Sequence, residues 1–389
     1  MRIIYIGAFR FPTYDAAAAR VLNIGRALRA AGHEVTYISW GGKYQERSVD
    51  GDSDDYYDGF RYFISGELNA SGFKKVRRRL SPGVYSLKIL KDLLSETDLI
   101  IAYNPGYSFN RKLITLCRKH NVKYAADITE WYDNNELKFT DYLPNRLNMT
   151  KVNKEFVLNR ILISSFLDSY YSTGNNVIVP ATCNSTDEKW AVTSSACKCK
   201  SPVTLIYAGN PAKKDKLHEV INAVERVEKT NQGRIRLFVL GIDRENYIKR
   251  YANLLDNPNI SEAVEFKGRV KQDDVPKFYA QAHFMVLLRD DSRKSNAGFP
   301  TKFAEAMMSG TAVIANITSD LGLYLNDGVN GFVLPESTSD ALFRVLIDIL
   351  SMDIRDIETM QTEAKKTGLE FFDYRKYIDT LNSFINRLV

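Results

Sequence analysis

Short apolar runs and helical patterns alternate twice along this chain, and this alternation constrains the fold more than any other feature. The first series begins with an apolar run at 2–7, a helical pattern at 16–31 and a second apolar run at 34–40. The second series starts at 203–209 and proceeds to the apolar run at 312–315. Parallel strands connected by helices give this pattern. We therefore predict an α/β protein with two Rossmann-like, doubly wound parallel-sheet domains that face a central cleft.

The segment between the two series indicates where the domains divide. Residues 181–202 are rich in Ser, Thr, Cys and Lys and lack periodicity, which is typical of a linker. We predict an N-terminal domain at 1–185 and a C-terminal domain at 200–373. The final helical pattern, 374–389, is expected to cross back to the N-terminal domain.

Composition excludes several classes of protein. The chain has 389 residues, of which 44% are hydrophobic and 26% are charged, so it is able to bury an ordinary globular core. Its four cysteines form neither a disulfide framework nor a zinc-binding pattern, which fits a reducing compartment. The sequence contains no signal-peptide core and no apolar run of membrane-spanning length. We expect a cytoplasmic protein, with any membrane contact peripheral and on the inner face of the plasma membrane.

The stretch 295–310 combines a Gly-rich loop with a helix start. Pro300 stands where the first residue of a helix is favoured, and Gly310 is placed to end that helix. Backbone N–H groups at such a helix start suit a phosphate. Glu305 lies in a segment that otherwise has the pattern of a core helix, so it requires a partner or a ligand. A plain turn with one half-buried glutamate explains the pattern equally well.

Residues 73–91 form a strongly basic stretch. They include seven lysines and arginines, no acidic residue, and apolar side chains such as Phe73, Leu80 and Tyr85. This combination favours contact with an anionic membrane surface or an anionic substrate. The solvated face of a helix is the alternative. Nucleic acid is not expected as a partner, because no binding motif accompanies the patch.

Acidic side chains follow one of the buried runs of the first series. Asp127 and Glu130 come at the carboxyl end of the run at 123–126, where ligands gather in open α/β sheets. These two residues are candidates for ligand binding or proton transfer. The first strand–helix–strand pattern has no G-x-G-x-x-G, so dinucleotide binding is not supported.

Four motifs, in order along the second series, carry a resemblance to a known family. They read IYAGNPAKKD at 206–215, FKGRV at 266–270, GFPTKFAEAMMSGTAVI at 298–314 and GVNGFV at 328–333. The first series adds a similar first helix and the sequence GHEV at 32–35. With these motifs the chain resembles the retaining GT-B glycosyltransferases of family 4, which are also described as glycosyl transferases group 1.

The resemblance implies a nucleoside-diphosphate-sugar donor in the C-terminal domain and an acceptor in the N-terminal domain. By matching position, Lys214 contacts the donor diphosphate and Glu305 the ribose hydroxyls. Asp127 and Glu130 become candidates for acceptor binding or proton transfer. The further donor-site candidates are Asn210, Lys213, Arg289, Asn296, Gly298, Phe299, Thr301 and Lys302. Because lysines and amides supply the positive charge, we expect no metal and no cofactor.

The implied activity is retaining transfer of a sugar to a hydroxyl of a glycan or lipid-linked sugar, in bacterial surface polysaccharide biosynthesis. The chain departs from the family at Asn210, Ala297 and Thr129, where the family usually has Arg, Glu and His. Two alternatives therefore stay open, a GT-B sugar-nucleotide epimerase and a non-catalytic nucleotide-sugar-binding partner protein. The presence of both Lys214 and Glu305 favours the transferase.

Overall fold

A computed structural model describes most of the chain. The described residues are 1–41, 55–69, 81–132, 139–191, 201–211 and 215–388. Lys213 and Lys214 lie outside them, as does the first part of the basic stretch, 73–80. The chain divides into two compact units, the first comprising 1–182 with 374–389 and the second comprising 183–373.

The first unit is built on an eight-stranded sheet. Its strand order is β3-β4-β2-β1-β5-β6-β7-β8, and all pairs are parallel except β3 with β4. The strands are β1 (Arg2–Arg10), β2 (Glu34–Gly41), β3 (Asp55–Tyr57), β4 (Phe60–Ile64), β5 (Leu99–Tyr103), β6 (Lys123–Ile128), β7 (Asn159–Leu162) and β8 (Asn175–Ile178). Parallel neighbours place their carboxyl ends at one edge, which becomes the natural place for a site.

Helices cover both faces of this sheet. They are α1 (Ala16–Ala30), α2 (Val84–Leu93), α3 (Tyr107–His120), α4 (Phe139–Leu147), α5 (Ser165–Tyr170) and the C-terminal α13 (Ile378–Asn386). A π-helical segment, Asn148–Phe156, continues α4. Alternate residues of β1 point to the two faces, so Ile3 and Tyr5 pack with α1 and α13, whereas Ile4 and Ile6 pack with α2 and α3.

The second unit is built on a six-stranded parallel sheet. Its strand order is β11-β10-β9-β12-β13-β14. The strands are β9 (Val203–Ala208), β10 (Ile235–Leu240), β11 (Val264–Gly268), β12 (Phe284–Leu287), β13 (Ala312–Asn316) and β14 (Gly331–Leu334). The helices are α6 (Leu217–Thr230), α7 (Arg244–Tyr251), α8 (Val275–Tyr279), α9 (Arg293–Ala297), α10 (Thr301–Ser309), α11 (Ser339–Ser351) and α12 (Ile354–Phe371). The apolar runs of the second series thus become the central, fully buried strands.

Two features of the first unit lie outside the simple alternation of strands and helices. Residues 55–57 form β3, which pairs with β4 as a hairpin at the sheet edge. The helix α4 is followed by the π-helical segment, which ends before β7 begins at Asn159. Propensity and apolar spacing do not distinguish a π-helical turn from an α-helical one.

In the second unit, one difference concerns the predicted linker. Residues 183–185 are held against the end of α12, because the N–H of Cys183 donates to the carbonyl of Phe372 (2.7 Å) and the N–H of Ser185 to the Asp373 carboxylate (3.2 Å). The second unit therefore begins at Cys183, within the segment that the sequence predicted as a linker.

A close contact between α1 and β2 fixes how the first helix lies on the sheet. Gly25 is in the middle of α1, and an added Cβ there would lie 1.7 Å from the hydroxyl oxygen of Tyr37 and 2.9 Å from its Cζ. That hydroxyl donates to the carbonyl of Val21 at 3.0 Å. Glycine is therefore required here for space, even though it is a poor helix former.

We predict that Gly25→Ala destabilises the protein and that Tyr37→Phe relieves part of this loss. Overpacking costs about 1–3 kcal/mol, which exceeds the ~1 kcal/mol that alanine gains over glycine in a helix. The measurement is urea unfolding of the two single variants and the double variant. Equal destabilisation by Gly25→Ala in both backgrounds would contradict the contact.

Candidate functional site

Two strands of the second unit end side by side, and the chain segments that follow them meet there. Strands β9 and β12 are neighbours in the sheet. Asp215, in the segment after β9, forms an isolated backbone bridge with Arg289, just after β12. The N–H of Lys216 donates to the carbonyl of Leu288 at 2.8 Å. The sheet thus brings distant segments together at the edge where ligands bind in this class of fold.

Asp215 lies at the centre of a buried polar cluster. Its Oδ2 lies 2.7 Å from Nζ of Lys302 and accepts a 2.8 Å hydrogen bond from the hydroxyl of Tyr207. Its Oδ1 lies 3.3 Å from Nε of Arg289. The ammonium of Lys302 also stands 4.2 Å from the centre of the Tyr207 ring. We call these four residues the Asp215 cluster.

The two cations determine the charge of the Asp215 cluster. Burial alone favours the neutral carboxyl, yet Lys302 and Arg289 lower the pKa of Asp215 to about 2. Asp215 is therefore ionised at neutral pH and balances only one of the two cations. The Asp215 cluster itself therefore carries one uncancelled positive charge, which suits an anionic ligand.

Arg289 is the most buried cation of the Asp215 cluster. It exposes only 2% of its surface. Its Nη1 has no hydrogen-bond partner among the described residues. A buried donor without a partner is costly, so the guanidinium requires a water or an anion at that nitrogen. This geometry is compatible both with an ion pair to Asp215 and with the predicted contact to a ligand.

Glu305 lies on α10, one turn after Lys302 on the same helix face. It is half-buried, and its Oε1 accepts a 2.8 Å hydrogen bond from Nε2 of Gln272. Burial raises the pKa of Glu305 to about 7, although Lys189, Lys302 and the hydrogen bond from Gln272 offset part of that rise. The carboxyl therefore changes charge near neutral pH.

The loop before α10 is more structured than the sequence indicated. It contains the short helix α9, and the N–H of Gly298 donates to the carbonyl of Lys294 at 3.3 Å, so this N–H is not free for a phosphate. Pro300 is the N-cap of α10, in an extended conformation, and the helix begins one residue later at Thr301. The predicted helix start is thus displaced by one residue. The backbone N–H groups of the first turn belong to Thr301 and the residues that follow it.

Two of the predicted donor-site side chains already make contacts with other residues of the second unit. The amide of Asn296 donates to Asp291 (2.7 Å) and accepts from the N–H of Ser319 (2.8 Å). Phe299 is buried and packs with other aromatic rings, including Phe372. These contacts favour structural roles for both side chains.

The predicted phosphate loop after β9 is described only at its two ends. Gly209 has a positive φ of 123°, and an added Cβ at Gly241 would lie 2.4 Å from the Gly209 carbonyl carbon. The loops after β9 and β10 therefore touch at two glycines. Asn210 follows with an exposed side chain. Lys213 and Lys214 lie outside the described residues, so their predicted contacts stay predictions.

In the first unit, Asp127 occupies the carboxyl end of β6 and is fully buried. It accepts hydrogen bonds from Nε (3.0 Å) and Nη2 (2.8 Å) of Arg20 and from the hydroxyl of Tyr5 (2.6 Å). Arg20 also donates to the carbonyls of Val179 and Pro180. A buried, fully bonded ion pair is not a proton acceptor for a substrate. The geometry favours a structural role for Asp127 over the predicted role in the reaction.

Glu130 is the accessible acid at this edge. It is exposed and accepts a hydrogen bond from the hydroxyl of Tyr132. Thr129, which stands where the family usually has His, is buried and bonded to Asn104 through its hydroxyl (2.6 Å) and its N–H (2.8 Å). The structure therefore separates the two predicted acids into an inaccessible one and an accessible one.

The basic stretch 73–91 enters the structure only from residue 81. Lys88 and Lys91 are exposed on α2. The apolar residues Leu87 and Ile89 instead pack against the core of the first unit. In its described part, the stretch therefore offers charge to the solvent but not a free apolar face.

Sequence reasoning missed several residues of these sites. Asp215 and Tyr207 were included in a motif without a role, and Gln272 and Arg20 were not singled out. Arg20 carried a signal, because it interrupts an apolar helix face and a buried cation requires an acid. Gln272 carried none, since its partner Glu305 is 33 residues away.

Known proteins are similar to this chain in the region that holds the Asp215 cluster. Residues 196–367 match the model of the family described as Glycosyl transferases group 1. The resemblance to the group 1 glycosyltransferases is confirmed. This match includes Asp215, Arg289, Lys302 and Glu305, all four on the second unit.

A curated relative supports the same assignment over part of the chain. A Salmonella typhimurium protein, provisionally named as the colanic acid biosynthesis glycosyltransferase WcaL, is 22% identical over 188 residues. The aligned segment covers 48% of this chain and 46% of that protein, so it spans about half the length of each.

Solved structures are similar over nearly the whole chain. Anabaena Alr3699/HepE, in complex with UDP and glucose, has a TM-score of 0.70 at 14% identity and full coverage of both chains. A sucrose-phosphate synthase from Thermosynechococcus elongatus has a TM-score of 0.68 at 16% identity, covering 99% of this chain and 98% of that one. WaaG, involved in lipopolysaccharide biosynthesis, has a TM-score of 0.67 at 14% identity, covering 98% and 99%. The GT-B fold predicted from the sequence is confirmed.

In the part of the chain that the structure describes, no group of three or more His, Cys, Asp or Glu is arranged to hold a metal ion. Within the same ranges, no helix has both the length and the apolarity needed to cross a bilayer. The predicted independence from metal and the predicted location remain predictions.

We predict that Asp127→Asn lowers the free energy of unfolding by about 3–5 kcal/mol, because it leaves Arg20 buried without its charge partner. Urea unfolding gives the measurement. The matched control is Glu130→Gln, which neutralises an exposed acid three residues away and is expected to change stability by less than ~0.5 kcal/mol. If Asp127→Asn kept the stability of wild type but lost enzymatic activity, the result would support the predicted role of Asp127 in the reaction.

Proposed function

We propose that this protein is a retaining glycosyltransferase. It moves a hexosyl or related group from a nucleoside-diphosphate sugar to a hydroxyl of a glycan or lipid-linked sugar acceptor, in the biosynthesis of a bacterial surface polysaccharide. The second unit holds the donor and the first unit the acceptor. The reaction uses no metal ion or other cofactor.

The observation that carries this proposal is the uncancelled positive charge of the Asp215 cluster. Lys302 and Arg289 share one carboxylate, and Arg289 keeps a buried nitrogen without a partner among the described residues. The cluster lies at the carboxyl ends of β9 and β12, within the segment that matches the glycosyltransferase family. Lys214 directly precedes Asp215 in the chain and adds a further cation to the same segment. A diphosphate is the ligand that this chemistry favours.

The chemistry requires stabilisation of charge on the leaving group. As the bond between sugar and phosphate breaks, negative charge accumulates on the nucleoside diphosphate, and Lys214 with the Asp215 cluster stabilises it. The acceptor hydroxyl attacks from the face on which the phosphate leaves, and a phosphate oxygen takes its proton. This route needs positioning and charge more than a protein nucleophile. Glu305 contributes by accepting hydrogen bonds from the ribose hydroxyls.

The relatives guide the choice of donor and acceptor. HepE has been solved with UDP and with UDP-glucose, so uridine nucleotides are tested first. WcaL and WaaG are named for colanic acid and lipopolysaccharide biosynthesis, which supports an acceptor in a surface polysaccharide. Glu130 is the residue of the first unit that we propose for acceptor contact, because its carboxylate is accessible.

The substitutions at Asn210 and Ala297 keep two alternatives under test. Ala297 is fully buried and Asn210 carries no charge, so neither replaces the family's usual Arg or Glu directly. A non-catalytic nucleotide-sugar-binding protein would bind the donor without converting it. An epimerase would convert the free sugar nucleotide without any acceptor.

We predict that one nucleoside diphosphate binds and that Lys214→Ala weakens its binding about tenfold or more, because a charge-assisted contact to phosphate is lost. The measurement is calorimetry with UDP, GDP, ADP and CMP on wild type and variant. The matched control is Lys229→Ala, which removes an exposed cation at the end of α6, on the opposite edge of the same sheet. Failure of every nucleotide to bind would contradict the donor site.

We predict that UDP-glucose affinity rises about tenfold between about pH 6 and pH 8, because only the ionised Glu305 accepts strong hydrogen bonds from both ribose hydroxyls. The transition is centred on the raised pKa of Glu305, about 7. UDP-glucose is the probe because its diphosphate has no ionisation in this range.

Two variants make the pH prediction specific. Glu305→Gln is expected to give a flat profile. Gln272→Ala removes a hydrogen bond that lowers the pKa of Glu305, so it moves the midpoint to higher pH. A profile that persists in Glu305→Gln would assign the titration to another group.

A further inference from the structure

A groove lies in the first unit, at the sheet edge opposite to Thr129 and Glu130. It has a volume of about 320 Å³ and is formed where α3 ends, β6 begins and the π-helical segment runs into β7. Ile114, Cys117 and Val122 are buried or nearly buried and form its apolar part. Its size is at the lower end of the ~300–1,000 Å³ range of small-molecule pockets. Nothing in the proposed sugar transfer uses it.

Two large apolar side chains stand exposed at the rim of this groove. Phe156 is 42% exposed and Leu158 is 43% exposed. Val157, between them, is fully buried and extended, so it anchors the segment while both neighbours point outwards. A rigid pair of this kind loses little entropy when it enters an apolar environment.

Two exposed cations stand at the same rim, because Arg118 and Lys123 both line the groove. Arg118 stands 5.8 Å above the ring of Phe156. The helix dipole explains cations in the last turn of α3, but Lys123 is outside that helix, at the start of β6.

The acids near this rim do not neutralise its cations. None of the residues that line the groove is acidic. Among the described residues, the two lining cations form no salt bridge, and Asp98, beside the start of β6, pairs with Arg2 instead. Glu155 is the exposed acid next to Phe156 in the chain. The rim therefore carries positive charge next to the exposed apolar side chains of Phe156 and Leu158.

We propose that this groove and its rim bind the anionic phospholipids of a membrane surface. Arg118 and Lys123 contact lipid phosphates, while Phe156 and Leu158 enter the boundary between headgroups and acyl chains. Cations near an anionic surface are attracted to it, and apolar insertion adds to that attraction. An acidic protein surface would pair with the cations, but it would not account for the exposure of Phe156 and Leu158.

The proposed lipid contact does not depend on the glycosyltransferase activity. It lies at the groove and not in the described part of 73–91, whose apolar side chains pack in the core.

The test is sedimentation of the full chain with vesicles of phosphatidylglycerol mixed with phosphatidylcholine, and with vesicles of phosphatidylcholine alone. We expect binding to the mixed vesicles, and at least a tenfold loss of partitioning in the double variant Arg118→Glu/Lys123→Glu. The matched control is Lys88→Glu/Lys91→Glu, which makes the same charge change on exposed residues of α2 and is expected to bind nearly as wild type.

A second variant tests apolar insertion. Phe156→Ser/Leu158→Ser is expected to reduce binding several-fold, with the loss greatest at high salt, where electrostatic attraction is screened. Thermal unfolding of each variant checks that it is folded, and Arg118→Gln/Lys123→Gln replaces the charge reversal if that variant is not. The proposal is overturned if the Arg118 and Lys123 variants bind as wild type does. It is also overturned if only the α2 control loses binding, or if wild type does not bind to the mixed vesicles. Nucleotide calorimetry on the same variants measures donor binding separately, so that a loss of lipid binding is distinguished from a loss of donor binding.

Discussion

One carboxylate, Asp215, organises the candidate donor site of the second unit. Lys302 and Arg289 both come from segments far from Asp215 in sequence, and the two cations would repel each other without the anion that they share. Asp215 attracts both, and its backbone bridge to Arg289 joins the segment after β9 to the segment after β12. The position of Lys302 on α10 also sets the position of Glu305, one turn further along the same helix. The geometry of the site therefore depends on a residue that need not touch the substrate.

The two units use the carboxyl edges of their sheets in different ways because their charges balance differently. At the end of β6, the single carboxylate of Asp127 meets the single guanidinium of Arg20, and every polar atom of the pair has a partner. At the end of β12, two cations meet one carboxylate, and a nitrogen of Arg289 has no partner among the described residues. A balanced buried pair contributes to specificity of the fold, whereas an unbalanced one attracts an anion. The sequence made both Asp127 and Glu305 candidates for the reaction, whereas their burial and hydrogen-bond partners in the structure distinguish the two carboxylates.

Most elements of the fold follow from local pattern. The predicted helix at 16–31 and the predicted strands at 34–40, 203–209 and 312–315 agree with the structure within one or two residues, because periodicity and flanking glycines determine them. The sequence also predicted that Glu305 requires a partner, and Gln272 provides one. The hairpin of β3 and β4, the π-helical turn after α4 and the short helix α9 were not predicted, because they are too short or too irregular to give a periodic sequence pattern. The one-residue displacement of the α10 start reflects how Pro300 serves as an extended N-cap.

The sequence by itself determined the class of fold, the order of its elements and the family resemblance of the second half of the chain. These properties depend on periodicity and on short motifs, which are local. Only the tertiary structure decided the state of each charge. It brought Asp215 to Lys302 and Arg289, closed Asp127 onto Arg20, raised the pKa of Glu305 to about 7, and left Phe156 and Leu158 exposed beside Arg118. Charge and exposure are properties of a residue's surroundings, and its surroundings are contributed mainly by residues far away in the chain.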